Sequence, residues 1–288
     1  MFTMIIRQLR LLRIHLPLLT PYRLSYRIVE AFEPMLIEVC DGNGHSGWGE
    51  GHISPGSGNE TPEQGWKFCS DAMAVAVGQD VATVKSSLTD ALETNPVAAS
   101  AMISALEMLG GDPLLQPPAE ETRLSLLTPV NGLTPKEIEP EIENRLAEGY
   151  RTFKIKVGKI LNDDIERVRT IQRALAGRAT MRIDANRAYS EEDGCRFAAA
   201  LHPENIELFE QPCAAEDWDA NTAVAAVSPV PVMLDEPISS ILDIERAASI
   251  KGGGLCKLKL KRFGGLSRLK QALDRTRELG MIPVLGDG

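Results

Sequence analysis

The sequence predicts an α/β protein in which a parallel β/α barrel follows a smaller α+β unit. Five short apolar stretches, each ending on a charged residue in the order lysine, acid, acid, acid, lysine, occupy residues 152–156, 181–184, 208–210, 232–235 and 255–259. The last four charged ends, at positions 184, 210, 235 and 259, are 26, 25 and 24 residues apart, which leaves room for a helix and two loops between strands. The first third of the chain lacks this repeat and alternates like an antiparallel sheet.

Length and composition are those of a globular protein of two domains. The chain has 288 residues, of which 43% are hydrophobic and 25% are charged, and its net charge is -9. We expect an α+β domain over residues 1–120 and the barrel over residues 121–288. A nucleic-acid partner is not expected, because the charge balance supplies no basic surface for phosphates.

Cysteine usage and hydropathy predict a cytoplasmic protein that does not enter a membrane. The five cysteines are odd in number, scattered and never in a CxxC pair, which argues against both a disulfide framework and a zinc site. Arginines 7, 10 and 13 interrupt the apolar N-terminus, and no later apolar run is long enough to span a bilayer.

The N-terminal elements are predicted from alternation and turn residues. Strands are expected over residues 5–16, 35–40 and 47–50, with a hairpin turn at Asp41-Gly-Asn-Gly44. The Pro, Gly, Ser and Asn content of residues 54–65 predicts a loop, and helical patterns follow over residues 66–77 and 97–109. Gly110 to Pro113 ends the second helix, and Pro117-Pro118 marks the linker.

The barrel elements follow a repeat of strand, polar loop and amphipathic helix. After Lys156, for example, Asn162 or Asp163 can cap a helix with an apolar stripe from Ile165 to Leu175. Strands are predicted to start near Leu124, Thr152, Thr180, Ile206, Pro231, Leu255 and Ile282, with a helix after each of the first six. These are the first seven strands and six helices of a TIM-like (β/α)7β barrel. Because a barrel closes only when its last strand pairs with its first, we expect a barrel truncated after strand seven.

The charged strand ends predict a metal site flanked by amines. Lys154 and Lys156 share one face of a strand, and like charge together with burial is expected to lower the pKa of one of them by roughly 1 to 3 units. Asp184, Glu210 and Asp235 end three successive strands and supply the hard oxygen ligands that Mg²⁺ prefers.

Such a site suits removal of a proton next to a carboxylate. A divalent ion can bind a substrate carboxylate and stabilise the enediolate that forms when a lysine takes the α-proton. Lys259 is expected to face the pocket from the side opposite Lys156, either as a second acid/base or as a fixed positive charge. Two opposed bases would permit racemisation or epimerisation.

The chain resembles the enolase superfamily, and most of all its muconate lactonizing enzyme subgroup. The motifs that carry the resemblance are Glu38 to Gly42 with Gly47-Trp-Gly-Glu50, the helix from Ala98 to Leu109, Lys154-Ile-Lys156, Asp184-Ala-Asn186, Glu210-Gln-Pro212, Asp235-Glu-Pro237 and Lys259-Leu-Lys-Arg-Phe-Gly-Gly265. A Lys base with Mg²⁺ is a known pattern of this superfamily.

The resemblance implies an N-terminal capping domain, Lys156 as the base on one face, Lys259 as the acid/base or cation on the other, and Lys154 as an electrostatic partner. It implies Asp184, Glu210 and Asp235 as Mg²⁺ ligands. The reaction would be racemisation or epimerisation, cycloisomerisation, or β-elimination of a small-molecule carboxylate, in a homo-oligomer whose loop 54–65 folds over the substrate.

Departures from the family pattern are the missing eighth strand and C-terminal segment, a short stretch from Gly110 to Leu124, and Asp287, to which we assign no role.

Other interpretations remain open at this point. A lone Lys-x-Lys is usually a solvated strand edge, Lys257 and Lys261 share a face with Lys259, and Glu236 competes with Asp235 as ligand. The four histidines show no ligand spacing and are expected on the surface or in loops. A truncated, non-catalytic relative that binds a ligand or partner chain is one alternative function, and a metal-free Schiff-base aldolase is another.

Overall fold

The structure is a computed structural model, which describes residues 4–24, 27–56 and 58–286. Its strands are β1 (Gln8–Arg13), β2 (Leu16–Arg23), β3 (Ile28–Phe32), β4 (Met35–Cys40), β5 (Ser46–Gly51), β6 (Leu127–Pro129), β7 (Thr152–Lys156), β8 (Thr180–Asp184), β9 (Ile206–Glu210), β10 (Val232–Leu234), β11 (Gly253–Leu258) and β12 (Ile282–Leu285). Its helices are α1 (Pro62–Ala76), α2 (Val81–Asp90), α3 (Pro96–Leu109), α4 (Pro135–Ala147), α5 (Leu161–Leu175), α6 (Glu191–Ala199), α7 (Trp218–Val227), α8 (Ile241–Ala248), α9 (Leu260–Phe263) and α10 (Leu266–Glu278). Asp287 lies outside the described residues.

The N-terminal unit is an antiparallel sheet, in the order β1-β4-β5, covered by α3. The predicted hairpin turn between β4 and β5 is confirmed, and Asp41 closes it by accepting hydrogen bonds from the backbone of Asn43 and His45. Helix α3 lies so close to β5 that a Cβ at Gly49 would come within 1.9 Å of the Ala101 carbonyl oxygen. Only glycine permits that approach.

Three elements of this unit are absent from the sequence prediction, and two boundaries were wrong. The strand expected over residues 5–16 spans only Gln8–Arg13, and Leu16 begins β2. Strands β2 and β3 form a separate two-stranded hairpin, and α2 precedes α3. The predicted loop 54–65 runs too far, because α1 begins at Pro62 behind a capping box formed by Thr61 and Gln64. Ser57, within that loop, lies outside the described residues.

The second unit is a parallel sheet in sequential order from β6 to β12, curled into a half-barrel. The seven predicted strands and the helix after each of the first six are confirmed. The predicted cap of α5 is wrong: Ile160 is the N-cap residue, without a side-chain hydrogen bond, and Asn162 and Asp163 lie inside the first turn. Within the described residues β6 and β12 each pair with one strand, and truncation of the barrel stays a prediction.

The strands of the half-barrel pack against its helices, and their register brings the polar strand ends together. Phe153, Ile183 and Phe209 are fully buried beneath the helices that follow their strands. The parallel register pairs Lys156 with Asp184 and Asp184 with Glu210, so the polar ends of β7, β8 and β9 lie side by side. No helix in the described ranges is long and apolar enough to cross a membrane.

Candidate active site

The three acidic residues predicted as ligands form a row at the carboxyl ends of β8, β9 and β10. Asp184 and Glu210 are the last residues of their strands, and Asp235 follows β10 directly. Their side chains are between 1% and 4% exposed. Unpaired carboxylates are rarely buried this deeply, so the charges around them decide what the site can do.

Two lysines from β7 contact the first acid of the row. Lys154 Nζ lies 2.8 Å and Lys156 Nζ 2.6 Å from Asp184 Oδ2. Lys156 also donates to Asn186 Oδ1 at 2.7 Å, and Asn186 N donates to Asp184 Oδ1 at 2.9 Å. Both lysines point into the site, as their shared strand face predicts.

Glu210, in the middle of the row, is bound by two ammonium groups. Lys154 donates to Oε2 at 2.9 Å, and Lys257 of β11 donates to Oε1 at 2.8 Å. Both lysine side chains are about 10% exposed. The contact from Lys257 is absent from the sequence prediction.

Asp235, at the far end of the row, is paired with cations from the segment after β11. Lys259 Nζ is 3.2 Å from Oδ2, and Arg262 Nη1 is 2.9 Å from Oδ1. Arg262 also donates to the Asp235 carbonyl oxygen. Lys259 therefore lies at the opposite end of the acidic row from Lys156.

These pairs determine the pKa values of the acids. Burial alone would raise the pKa of Asp184, but Lys154 and Lys156 lower it far below its usual range. Burial likewise opposes a low pKa for Asp235, which Lys259 and Arg262 nevertheless bring well below its usual range. Both residues are therefore carboxylates at neutral pH.

The predicted lowering of a lysine pKa on β7 is wrong for this arrangement. Burial alone would lower the pKa values of Lys154 and Lys156, but Asp184 raises both, and for Lys154 Glu210 adds to the rise. Attraction to the acids thus outweighs the repulsion between the two amines. Lys259 differs, because burial lowers its pKa in spite of Asp235.

Glu236 does not join the row but lies beside it. Its Oε1 is 3.3 Å from Arg187 Nε, and Arg187 Nη2 donates to the Gly56 carbonyl oxygen in the loop before α1. Burial first, and then the nearby charges of Asp235 and Asp184, raise the pKa of Glu236. Asp235, and not Glu236, therefore continues the row of Asp184 and Glu210, and its role as a metal ligand stays a prediction.

The donor set of the row fits Mg²⁺ in its chemistry. It offers three carboxylates, and beside it Glu236 Oε2 is buried and accepts no hydrogen bond from the residues that the structure describes. Asp235 Oδ1 is already paired with Arg262. Ammonium groups nevertheless lie between the acids, and across the described residues no three His, Cys, Asp or Glu side chains are gathered as a metal would gather them. Binding a cation here requires Lys154 and Lys257 to move aside.

A cavity of about 1220 Å³ opens in front of the row and is lined by both units. The N-terminal unit contributes Tyr22, whose ring centroid lies 5.7 Å from Lys156 Nζ, and Glu60 from the loop before α1. His52, expected to be a surface or loop histidine, also lines this cavity.

Some of the functional side chains could have been found from the sequence. Lys257 is two residues before Lys259 and therefore shares its strand face, but the sequence does not indicate its partner. Arg262 lies within a quoted motif, but a helical turn, rather than a strand, brings it back to Asp235. Tyr22 carried no signal, because it comes from a hairpin that was not predicted.

The chain is similar to known proteins in both sequence and fold. Residues 137–284 match the family described as Enolase C-terminal domain-like. Muconate cycloisomerase 1 from Acinetobacter baylyi is 28% identical over 88% of this chain and 72% of its own length. L-Lys-D/L-Arg epimerase from Methylococcus capsulatus is 29% identical over 94% of this chain and 79% of its own.

A solved structure of similar fold is the dipeptide epimerase from Cytophaga hutchinsonii, complexed with Mg and the dipeptide D-Ala-L-Val. Its TM-score is 0.90 at 23% identity, covering 99% of this chain and 80% of that one. This likeness extends over both the N-terminal unit and the half-barrel.

Proposed function

Because this chain belongs to the Enolase C-terminal domain-like family of the enolase superfamily, we propose that it is an enzyme that removes the proton α to a substrate carboxylate. The observation that carries the proposal is the placement of Lys156 and Lys259 at opposite ends of one acidic row. An amine on each side of a substrate can take a proton from one face and return it to the other. Racemisation or epimerisation is therefore the outcome that this geometry supports best, ahead of cycloisomerisation and β-elimination.

The residues have the following proposed roles. Lys156 and Lys259 each remove the α-proton on their own face of the substrate as neutral amines, or deliver it as ammonium groups. Because Asp184 raises the pKa of Lys156, we propose that Lys156 takes the proton only once it no longer pairs with that carboxylate. Lys154, placed between Asp184 and Glu210, supplies positive charge beside Lys156 and is the electrostatic partner of that base. Tyr22 shields Lys156 from the N-terminal side and limits its access to water.

Magnesium is the cofactor that we propose, with Asp184, Glu210 and Asp235 as its ligands. The relatives solved with Mg and a dipeptide support this choice, as does the hard-oxygen donor set of the row. When bound, the ion supplies positive charge that binds the substrate carboxylate and stabilises the enediolate. Asn186 and Gln211, which hydrogen-bond to Asp184 and to the backbone N–H of Asp235, keep the acids oriented.

The substrate that we propose is a small carboxylate of the dipeptide or N-acyl amino acid class. Several relatives are named for epimerising dipeptides, and another is an N-succinyl-L-Arg/Lys racemase. We further propose a capping domain up to about residue 120, a homo-oligomer, and the cytoplasm as location. All five cysteines are free, which suits a reducing compartment.

Exchange of the α-proton with solvent deuterium tests the proposal directly. A panel of dipeptides and N-acyl amino acids is incubated in D₂O with Mg²⁺, and loss of the α-proton signal is followed by NMR. We expect exchange with at least one member, abolished by a chelator and restored by added Mg²⁺. A protein that exchanges no α-proton of any carboxylate in the panel would contradict the proposal.

A further inference from the structure

The segment 259–266 carries Lys259 and Arg262 into the site, and it lies against the N-terminal unit. Ser100 of α3, itself buried, donates its hydroxyl hydrogen to the Leu260 carbonyl oxygen at 3.3 Å. The backbone N–H of Leu266 donates to the carboxylate of Glu107, also on α3. The position of the segment is thus fixed from outside the half-barrel at both of its ends.

Glu107 is a buried carboxylate with a clear structural partner. Its side chain is 1% exposed, and its two oxygens lie 3.2 and 3.1 Å from Leu266 N. Lys85 of α2 neutralises it at 2.8 Å. Leu266 is the first residue of α10, and the N-cap residue Gly265 has no side chain, so Glu107 caps α10 from another unit. A negative charge at this end of a helix is also favoured by the helix dipole.

Two glycines allow the chain to make this contact. Gly264 ends α9 in the left-handed region with φ 69°, and a Cβ there would come 2.2 Å from Leu92 Cδ1. Gly265 has φ 153°, and a Cβ there would come 2.9 Å from Glu107 Oε1. The turn between α9 and α10 can therefore adopt this conformation, and come this close to Glu107, because both positions are glycine.

The path from Glu107 to Lys259 is short. Lys259 is the N-cap residue of the single turn α9, which is closed by the hydrogen bond from Gly264 N to Leu260 O at 2.8 Å. Gly265 follows at once and leads to Leu266. A displacement of Leu266 is thus transmitted through one helical turn to the backbone that carries Lys259.

We propose that Glu107 is a positioning residue for Lys259: by capping α10 it fixes the turn 260–263 and, through it, the ammonium group beside Asp235. Glu107 touches neither the acidic row nor the substrate cavity. This inference rests on the proposed role of Lys259 in proton transfer and adds a residue from the N-terminal unit to it.

The test compares three variants of the whole chain. Glu107→Leu removes the acceptor, Glu107→Gln keeps an oxygen for Leu266 N, and Gly265→Ala disturbs the contact without changing α3. The matched controls are Glu63→Leu and Glu63→Gln on the exposed surface of α1. The probes are L-Ala-L-Glu and L-Ala-D-Glu in D₂O with Mg²⁺, and Lys259→Ala identifies the isomer whose proton Lys259 removes.

We expect Glu107→Leu and Gly265→Ala to slow exchange of that isomer about 10- to 100-fold, because small misplacement of a catalytic group has costs of this size. Exchange of the other isomer should change little, and Glu107→Gln should recover most of the lost rate. A general loss of structure would slow both isomers together. Equal slowing of both isomers, or no slowing of either, would overturn the inference.

A second readout needs no activity. Lys259 and Lys156 are labelled in competition with acetic anhydride, and the ratio of their modification is measured by mass spectrometry. Glu107→Leu should raise the labelling of Lys259 several-fold relative to Lys156, and Glu107→Gln should not. An unchanged ratio would overturn the inference. Wild-type protein that exchanges no member of the full panel would count against the proposed function, while the labelling ratio would still decide the role of Glu107.

Discussion

Lys257 donates to Glu210 Oε1 at 2.8 Å, so the middle acid of the row already has a cation on the side facing β11. Lys257 Nζ also lies 3.9 Å from Asp235 Oδ2. A residue proposed as a metal ligand is therefore shared with an amine of the same chain. This contact predicts that Lys257 and Mg²⁺ compete for Glu210.

The first prediction is that Lys257→Met binds Mg²⁺ more tightly than the wild type, by roughly tenfold or more, since a charge-assisted hydrogen bond contributes about 1.5–3 kcal/mol. Isothermal titration with MgCl₂ measures the affinity. Lys251→Met, at an exposed position just before β11, is the matched control and should leave the affinity unchanged. Weaker binding by Lys257→Met would show that the amine supports the metal site instead.

The second prediction concerns the buried charge of Asp184. Asp184→Asn leaves two buried ammonium groups without their shared carboxylate, and we expect the free energy of unfolding in the presence of EDTA to fall by about 3–5 kcal/mol. Urea unfolding followed by circular dichroism measures the loss. Glu143→Gln removes an exposed ion pair with Arg178 and serves as the control, with no measurable loss expected.

The third prediction concerns pH and the hairpin between β4 and β5. Hydrogen bonds from His45 and Asn43 lower the pKa of Asp41 from 3.8 to about 2. Because the folded state holds this proton less tightly than the unfolded state, the contribution of Asp41 to stability is complete above about pH 4 and disappears as the pH falls towards 2.

Asp41→Asn should therefore be less stable than the wild type at pH 5, and the difference should shrink between pH 4 and pH 2. Urea unfolding over this range measures it, with Asp71→Asn on the exposed face of α1 as control. A difference that stays constant, or grows, as the solution is acidified would contradict the assignment.

The half-barrel was predictable because its sequence repeats one physical pattern. Buried parallel strands are short apolar runs, and each run from 152–156 to 255–259 ends on a charge that must reach a polar edge. The hairpin β2–β3 was missed because the strand from Leu16 to Arg23 is mostly exposed and lacks a clear alternation of apolar and polar residues.

The residues predicted for the site lie together, but their electrostatics were not predictable. The order of Lys154, Asp184, Glu210 and Asp235 along the chain suffices to bring them together, because parallel strands place their carboxyl ends at one edge. The sequence does not indicate which ammonium group contacts which carboxylate. The pKa values of Lys154 and Lys156 consequently move in the direction opposite to the prediction, and the contact of Lys257 with Glu210 appears only in three dimensions.

The fourth prediction tests the central claim, that Lys156 and Lys259 act on opposite faces of one substrate. The measurement is the rate of α-deuterium incorporation into each isomer of an exchanging substrate, in D₂O with Mg²⁺, for the wild type, Lys156→Ala and Lys259→Ala. We predict that each variant slows exchange of one isomer by about 10²-fold or more and retains exchange of the other. The isomer that Lys156→Ala no longer exchanges should be the one that Lys259→Ala still exchanges. Loss of the same isomer in both variants, or retention of both isomers in either, would contradict the account.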